Sequence, residues 1–134
     1  MKLNIIIEKG KPEFWGRIEG SEFLVTCGKN LSEITENLKM LLADYIENEG
    51  KLDKKFKKFE VNSVEFTYLY DVQTFFQSFN YFNISALASQ ANINQSLLRQ
   101  YAKGIKYPSI EQAKKIERTI HQLALKMQRV SLTA

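Results

Sequence analysis

Apolar side chains at every second position mark the predicted strands of the N-terminal half. Leu3, Ile5 and Ile7 show this spacing first, and turn-forming residues at Lys9–Pro12 separate them from a second apolar stretch. The predicted strands lie around Leu3–Ile7, Phe14–Ile18, Phe23–Cys27 and Val61–Tyr70. The pattern therefore predicts a hairpin, a third strand directly after it, and a fourth strand further along the chain.

A helical period separates the third and fourth predicted strands. Asn30 is a predicted N-cap because Glu33 follows it at the capping-box spacing. Behind it one helical face is apolar, with Leu31, Ile34, Leu38, Leu41, Leu42, Tyr45 and Ile46. This helix is predicted to end near Gly50, and a polar, lysine-rich connection at residues 51–58 leads to the last strand. Residues 1–70 thus form a predicted βββαβ unit.

From Asp71 the apolar period is that of helices only. Asp71 is the predicted cap of a short first helix, and Asn83, Asn94 and Ser109 are predicted to begin three more. The predicted fold class is therefore α+β, with a βββαβ domain at residues 1–70 and an all-α domain at residues 71–134.

The segment Asn83–Gly104 has the pattern of two short helices that meet at a tight corner. Ala88 supplies the small residue where the helices cross, and Asn92 tolerates the left-handed backbone that the corner needs. Ile93 is predicted to fill the gap between the helices. These features together predict a helix-turn-helix.

The second of these helices separates into an apolar and a polar arc. Its apolar arc holds Leu97, Leu98, Tyr101 and Ala102, and its polar arc holds Gln95, Ser96, Arg99, Gln100 and Lys103. The polar arc lacks acidic residues and is rich in groups that pair with adenine edges (Gln), guanine edges or phosphates (Arg), and phosphates (Lys). This is typical of a DNA-reading helix, and the alternative is a helix whose polar face contacts only water.

The net charge of +4 is unevenly spread. Residues 1–70 carry 11 Lys/Arg against 12 Asp/Glu, whereas residues 71–134 carry 8 against 3. This asymmetry favours a polyanionic partner for the second half, although a solvated basic surface would give the same count.

Several classes of protein are disfavoured by composition. A single cysteine, Cys27, and a single histidine, His121, offer neither a disulfide framework nor a structural metal site. We expect a cytoplasmic protein without a membrane span, because no apolar run approaches roughly 18 residues and the chain starts directly with a strand pattern.

A catalytic role is also disfavoured. A two-metal nuclease needs several carboxylates in one cleft, but Glu8 is at a strand edge and the aspartates, Asp44, Asp53 and Asp71, are scattered. Cys27 has no predicted neighbouring base. We therefore expect no enzymatic activity and no cofactor.

The C-terminal pattern resembles the lambda-repressor-like (Xre) family. The matching positions are Leu87-Ala88, Asn92-Ile93, Gln95-Ser96 and Gly104 with Pro108-Ser109, and Asn92 stands where that family usually has glycine. The resemblance implies base contacts from Gln95, Ser96 and Arg99, with Lys103 and Lys106 nearer the phosphate backbone. Gln100 fits either role.

The N-terminal pattern resembles the HicB antitoxins. It is carried by Lys2–Glu8, Phe14-Trp15-Gly16, the break at Cys27-Gly28 and the amphipathic helix from Leu31, while the loop after the second strand is shortened to Glu19–Ser21. HicB antitoxins pair a partial RNase H-like domain with a C-terminal DNA-binding domain. The resemblance implies that the first domain sequesters a small ribonuclease toxin, HicA, and that the second represses the operon by binding operator DNA.

Two further expectations concern partners. A homodimer or higher even oligomer is expected on a palindromic site, with Ile116, Ile120, Leu123, Met127 and Val130 as a candidate surface or else as plain core. Contacts to a basic toxin are expected from Glu8, Glu13, Glu19 and Glu22. The alternative function is a stand-alone transcriptional regulator whose N-terminal domain senses a ligand or dimerises, and an RNA-processing enzyme is disfavoured.

Overall fold

The computed structural model describes residues 2–48 and 63–134, which form a mixed α+β protein. Its strands are β1 (Lys2–Lys9), β2 (Phe14–Ile18), β3 (Val25–Gly28) and β4 (Glu65–Tyr70). Its helices are α1 (Leu31–Asn48), α2 (Val72–Ser78), α3 (Ile84–Ala91), α4 (Gln95–Lys103) and α5 (Ile110–Gln128). The predicted α+β class is confirmed. The lysine-rich connection, the predicted helix end near Gly50 and Val61 lie outside the described residues.

Contacts divide the chain into two compact units, one up to Thr74 and the other Phe75–Ala134. The sequence places the boundary slightly earlier, between Tyr70 and Asp71. The division falls inside α2, whose first turn is capped as predicted: the Asp71 carboxylate accepts from the Thr74 backbone N–H at 2.7 Å and from the Thr74 hydroxyl at 2.9 Å. Each unit is described separately below.

The first unit is built on a four-stranded sheet with the order β3-β2-β1-β4. β1 and β2 form the predicted antiparallel hairpin, with Ile5 opposite Ile18. β4 pairs with the other edge of β1 in parallel, with Tyr68 opposite Ile5. A parallel neighbour needs a long crossover connection, and α1 lies in the chain between β3 and β4.

The core of the first unit lies between one face of the sheet and α1. Its buried side chains come from alternate strand positions and from one helical face: Leu3, Ile5, Ile7, Ile18, Leu24, Ile34, Leu38 and Leu42. This confirms the alternation predicted for β1 and the apolar face predicted for α1. Gly16 of β2 allows the close approach of α1, because a Cβ atom at this position would collide with the Ile34 side chain.

The third strand begins at Val25, two residues later than predicted. The Ser21 hydroxyl accepts from the backbone N–H groups of Phe23 and Leu24, at 3.3 Å each, so the turn after β2 continues through these residues. Leu24 is buried, whereas Phe23 is 82% exposed. The strand prediction was wrong for Phe23 because a local side-chain bond to the backbone holds it in the turn.

The N-cap predicted for α1 is confirmed. The Asn30 side chain accepts from the Glu33 backbone N–H at 2.9 Å, and the Glu33 carboxylate in turn accepts from the Lys29 N–H at 2.7 Å. This pairing satisfies two of the backbone donors that a helix N-terminus leaves without partners.

The second unit has a small core made by three helices. Its buried side chains include Leu87, Ala88, Leu98, Tyr101 and Ile116, from α3, α4 and α5. The unit also holds a cluster of aromatic rings from α2 and the following turn: Phe75 lies 4.9 Å from Phe79 and 5.9 Å from Phe82, between ring centroids.

The contrast between Leu38 and Met40 on α1 tests the position of the first core. Leu38 is fully buried and Met40 is 70% exposed. Leu38→Ala should lower the free energy of unfolding by about 2 to 5 kcal/mol, since it leaves a cavity under the sheet. Met40→Ala should change it by less than about 0.5 kcal/mol. Urea unfolding followed by fluorescence of Trp15, the single tryptophan, reports on this unit. Equal effects of the two substitutions would contradict this core.

Candidate nucleic-acid interface

The corner between α3 and α4 has the predicted left-handed residue. Asn92 has φ 55° and ψ 46°, and among the described residues it is the one non-glycine with positive φ. The Ile93 N–H donates to the Ala88 carbonyl at 2.9 Å, and the Asn92 N–H donates to the Ser89 carbonyl at 3.3 Å. These two bonds satisfy carbonyls at the end of α3, and only three residues, Asn92, Ile93 and Asn94, separate α3 from α4.

A lysine on α5 forms a hydrogen bond to the backbone of this corner. The Lys115 Nζ donates to the Asn92 carbonyl at 2.9 Å, across 23 positions of sequence. A cation near the C-terminal end of a helix is also favoured by the helix dipole. Sequence patterns give no signal for this contact, because it depends on how α5 packs.

The predicted packing of the corner is confirmed. Ala88 is fully buried, which agrees with a small residue at the helix crossing, and Ile93 is 7% exposed between the helices. Leu98 of α4 is fully buried. The orientation of α4 is therefore fixed by apolar packing along its inner face.

Both ends of α4 have local caps. The Asn94 side chain accepts from the Leu97 N–H at 3.1 Å, as predicted for an N-cap. At the other end Gly104 adopts φ 75°, and the Ile105 N–H donates to the Gln100 carbonyl at 2.9 Å. The helix bounds are thus determined by residues within a few positions of each end.

The outer face of α4 carries most of the residues singled out by sequence. Leu98 and Tyr101 are buried, which confirms the predicted apolar arc. The exposed residues on or just after the helix are Gln95, Ser96, Arg99, Lys103 and Lys106, and Gln100 is half-buried. One surface therefore presents amide, hydroxyl, guanidinium and ammonium groups side by side.

The charge around this surface is positive. Residues 75–134 carry eight Lys/Arg and two acidic residues, Glu111 and Glu117, both on α5. The Glu117 carboxylate lies 3.2 Å from the Lys114 ammonium, which offsets part of its charge. Because α3 and α4 have no acidic side chain, the outer face of α4 suits a polyanion.

Two features of this unit were missed by sequence reasoning. The Arg99 guanidinium donates from Nη2 to the hydroxyl of Ser85 on α3, fourteen positions away. Ile105 and Tyr107 in the loop after α4, and Ile110 at the start of α5, are 65%, 80% and 82% exposed. The three exposed apolar residues could have been noticed in the sequence, because they lie beside the predicted caps. No sequence pattern indicates the contact between Ser85 and Arg99.

In the first unit most of the predicted toxin-facing carboxylates have partners within the unit. Glu8 lies 3.6 Å from the Arg17 guanidinium, and Glu19 accepts from the Asn4 side-chain amide at 2.9 Å. Glu22 is exposed in the turn after β2.

Glu13 interacts with Cys27 at the end of the β2–β3 pair. Phe14 lies opposite Gly28, which brings the Glu13 carboxylate to the thiol. A hydrogen bond to Glu13, then desolvation, then repulsion by the Glu13 charge raise the pKa of the Cys27 thiol. The expectation that Cys27 has no neighbouring base was wrong, because strand pairing joins residues that are distant in sequence. The raised pKa keeps the thiol protonated, the opposite of an activated nucleophile.

Within residues 2–48 and 63–134, no three His, Cys, Asp or Glu side chains come together as a metal-binding group. In the same residues no helix has the length and apolarity needed to cross a bilayer.

Comparison with known proteins gives no match for this chain among family models, curated proteins or solved structures. The functional interpretation therefore depends on the geometry described above and on the sequence resemblances.

The Glu13–Cys27 contact predicts slow alkylation of the thiol. Since the raised pKa lowers the thiolate fraction at any given pH, iodoacetamide should modify native Cys27 more slowly than the unfolded chain at pH 8. Glu13→Gln removes the carboxylate and should speed the reaction, shifting its pH profile to lower pH. Glu22→Gln, in a neighbouring turn, serves as the control. Mass spectrometry is unambiguous here because Cys27 is the single cysteine. Unchanged rates in Glu13→Gln would contradict the assignment.

Proposed function

We propose that this protein is a transcriptional repressor whose residues 71–134 form a lambda-repressor-like helix-turn-helix domain. The observation that carries the proposal is α4 itself: a capped helix, packed by its apolar side, with an outer face of uncharged polar and basic residues only. A helix of this kind fits the major groove of duplex DNA, where side chains meet base edges. The left-handed corner at Asn92 and the buried Ala88 support the same proposal.

The roles of individual residues follow from their chemistry and position. Gln95 and Ser96 occupy the first turn of α4, the part of a recognition helix that enters the groove. Arg99 follows one turn later and suits guanine through its two parallel donors. Lys103 and Lys106, at the C-terminal end, suit phosphates and fix the register of the helix on the duplex. Gln100 is half-buried and is placed at the edge of the face that contacts DNA.

This proposal is tested by DNA binding with the region upstream of the gene as operator. Arg99→Ala should weaken operator binding by about 1 to 3 kcal/mol, with little effect on random duplexes, because the lost contacts are to bases. Lys103→Ala should weaken both DNAs and reduce the salt dependence of binding. Lys39→Ala, on α1 of the first unit, provides a control for the loss of one positive charge. Fluorescence anisotropy over a salt series measures the affinity of each protein for both DNAs. Equal losses on operator and random DNA in Arg99→Ala would overturn the base-reading role.

The active form is proposed to be a homodimer, or a higher even oligomer, on a palindromic site. One helix reads only a few base pairs, so two copies related by two-fold symmetry extend the site. Of the candidate surface, Ile116 is 3% exposed and belongs to the core of its own unit. Met127 and Val130 are each 62% exposed, and Leu125 and Leu132 beside them are 64% and 93% exposed. The proposed dimer surface therefore comprises the C-terminal end of α5 and the residues that follow it.

Charged substitutions test this surface. The double variant Met127→Glu, Val130→Glu should shift the protein toward monomer, since it places like charges where two apolar faces would meet. Light scattering at micromolar concentration, with and without operator, measures the change. Gln122→Glu, at an exposed position of the same helix, should leave the mass unchanged. A wild-type monomer under both conditions would exclude the dimer.

For the first unit we propose the antitoxin role that its resemblance to HicB implies: sequestering a HicA-type ribonuclease. A four-stranded sheet with one covering helix supports a partial RNase H-like domain. Of the four glutamates expected at the toxin, Glu22 is exposed, while Glu8, Glu13 and Glu19 interact within the unit. Glu8 and Glu19 are exposed, so a basic toxin competes at these two positions only with weak surface contacts.

One observation favours the alternative, a stand-alone regulator that senses a ligand. A surface groove of about 440 Å³ lies between the turn after β2 and α1, lined in part by Phe23, Leu41 and Tyr45. Its apolar walls and the polar groups of Asp44 and Asn48 at its edge are features of small-molecule sites.

Co-expression with the product of the neighbouring gene distinguishes the antitoxin from the stand-alone regulator. If a small basic protein is encoded beside this gene and is toxic, the full chain should restore growth and co-purify with it. Arg99→Ala should still restore growth while failing to bind operator DNA, because the two activities belong to different units. Arg99→Ala that loses both would show that the toxin site includes α4. Absence of a toxic neighbour would favour the stand-alone regulator.

A further inference from the structure

A polar contact joins α3 and α4 outside their apolar interface. The Arg99 guanidinium reaches back from α4 and donates through Nη2 to the Ser85 hydroxyl in the first turn of α3. The two helices already share a buried seam that includes Leu87, Ala88 and Leu98. The Ser85–Arg99 contact lies at the surface outside that seam, so the fold does not depend on it.

We propose that Ser85 positions Arg99 for base recognition and thereby determines how well the protein discriminates between DNA sequences. This inference rests on the proposed function, in which α4 reads bases. Ser85 itself is a positioning residue, because it acts through the guanidinium and is assigned no base contact.

The chemistry of the guanidinium makes this possible. Arginine has five N–H donors in a rigid planar fork, and a single bond to Ser85 leaves enough of them for a bidentate pair with guanine N7 and O6. A long side chain that is already held loses less conformational freedom when it binds DNA. Serine is suited to this task because its neutral hydroxyl orients the cation without cancelling its charge, whereas a carboxylate would repel phosphate.

The position of Ser85 is itself fixed by local bonds. The Asn83 side chain caps α3 by accepting from the Ala86 N–H at 3.0 Å, and the Ser89 hydroxyl donates to the Ser85 carbonyl at 3.3 Å. These two bonds do not involve the Ser85 hydroxyl, which accepts from Arg99 instead. Ser32, the second residue of α1 as Ser85 is the second residue of α3, provides an exposed matched serine in the other unit.

The experiment uses the full chain and duplexes enriched by the wild-type protein from a random library. Discrimination is the ratio of affinity for an enriched duplex to affinity for its scrambled form. Ser85→Ala should lower this ratio about three- to tenfold, the range expected for one hydrogen bond, with little change on scrambled DNA. Ser85→Thr keeps the hydroxyl and should keep the wild-type ratio, and Ser32→Ala on α1 should leave the ratio unchanged.

A double-substitution cycle separates positioning from a structural effect. In an Arg99→Ala background, Ser85→Ala should cause no further loss, because its only route to the bases has been removed. The proposal is overturned if Ser85→Ala leaves discrimination intact, if it raises it, or if its effect persists without Arg99. If the wild-type chain enriches no sequence at all, the DNA-reading function fails first and the positioning role fails with it.

Discussion

The geometry of the candidate DNA surface depends on the left-handed residue at Asn92. Its positive φ ends α3 and lets the Ile93 N–H return to the Ala88 carbonyl, so α4 starts after a short corner. A residue that could not adopt this conformation would separate the two helices and expose Ile93. Lys115 adds a contact to the Asn92 carbonyl from α5. The left-handed conformation of Asn92, together with the hydrogen bonds from Ile93 and Lys115 at this corner, thus sets the direction in which α4 presents its polar face.

The two units distribute charge in different ways, and this difference limits what each one suits. In the first unit Glu8 and Glu19 interact with nearby side chains, and Glu13 raises the pKa of the Cys27 thiol. In the second unit the acidic residues are confined to α5, and the face of α4 has none. The first unit is close to neutral and suits a protein or small-molecule partner, whereas the outer face of α4 in the second unit suits a polyanion.

The inner side of α4 is rigidly packed, whereas the polar side chains on its outer face can adjust to a ligand. Leu98 and Tyr101 are buried in the core of the second unit, so the positions of the outer Cα atoms of α4 are set before any ligand binds. The side chains above them remain long and polar, and only some are restrained, as Arg99 is by Ser85. Such a surface combines a preorganised backbone with side chains that adapt to a duplex.

Features that arise from residues close in the chain could be predicted from the sequence. Caps such as Asn30 and Asn94 were predictable because an N-cap bonds within three residues, and burial of Leu38 or Leu98 followed from periodicity. The parallel pairing of β4 with β1 and the contact of Ser85 with Arg99 appear only in the folded chain. Such contacts depend on how separate elements pack, and no spacing within a single element encodes that.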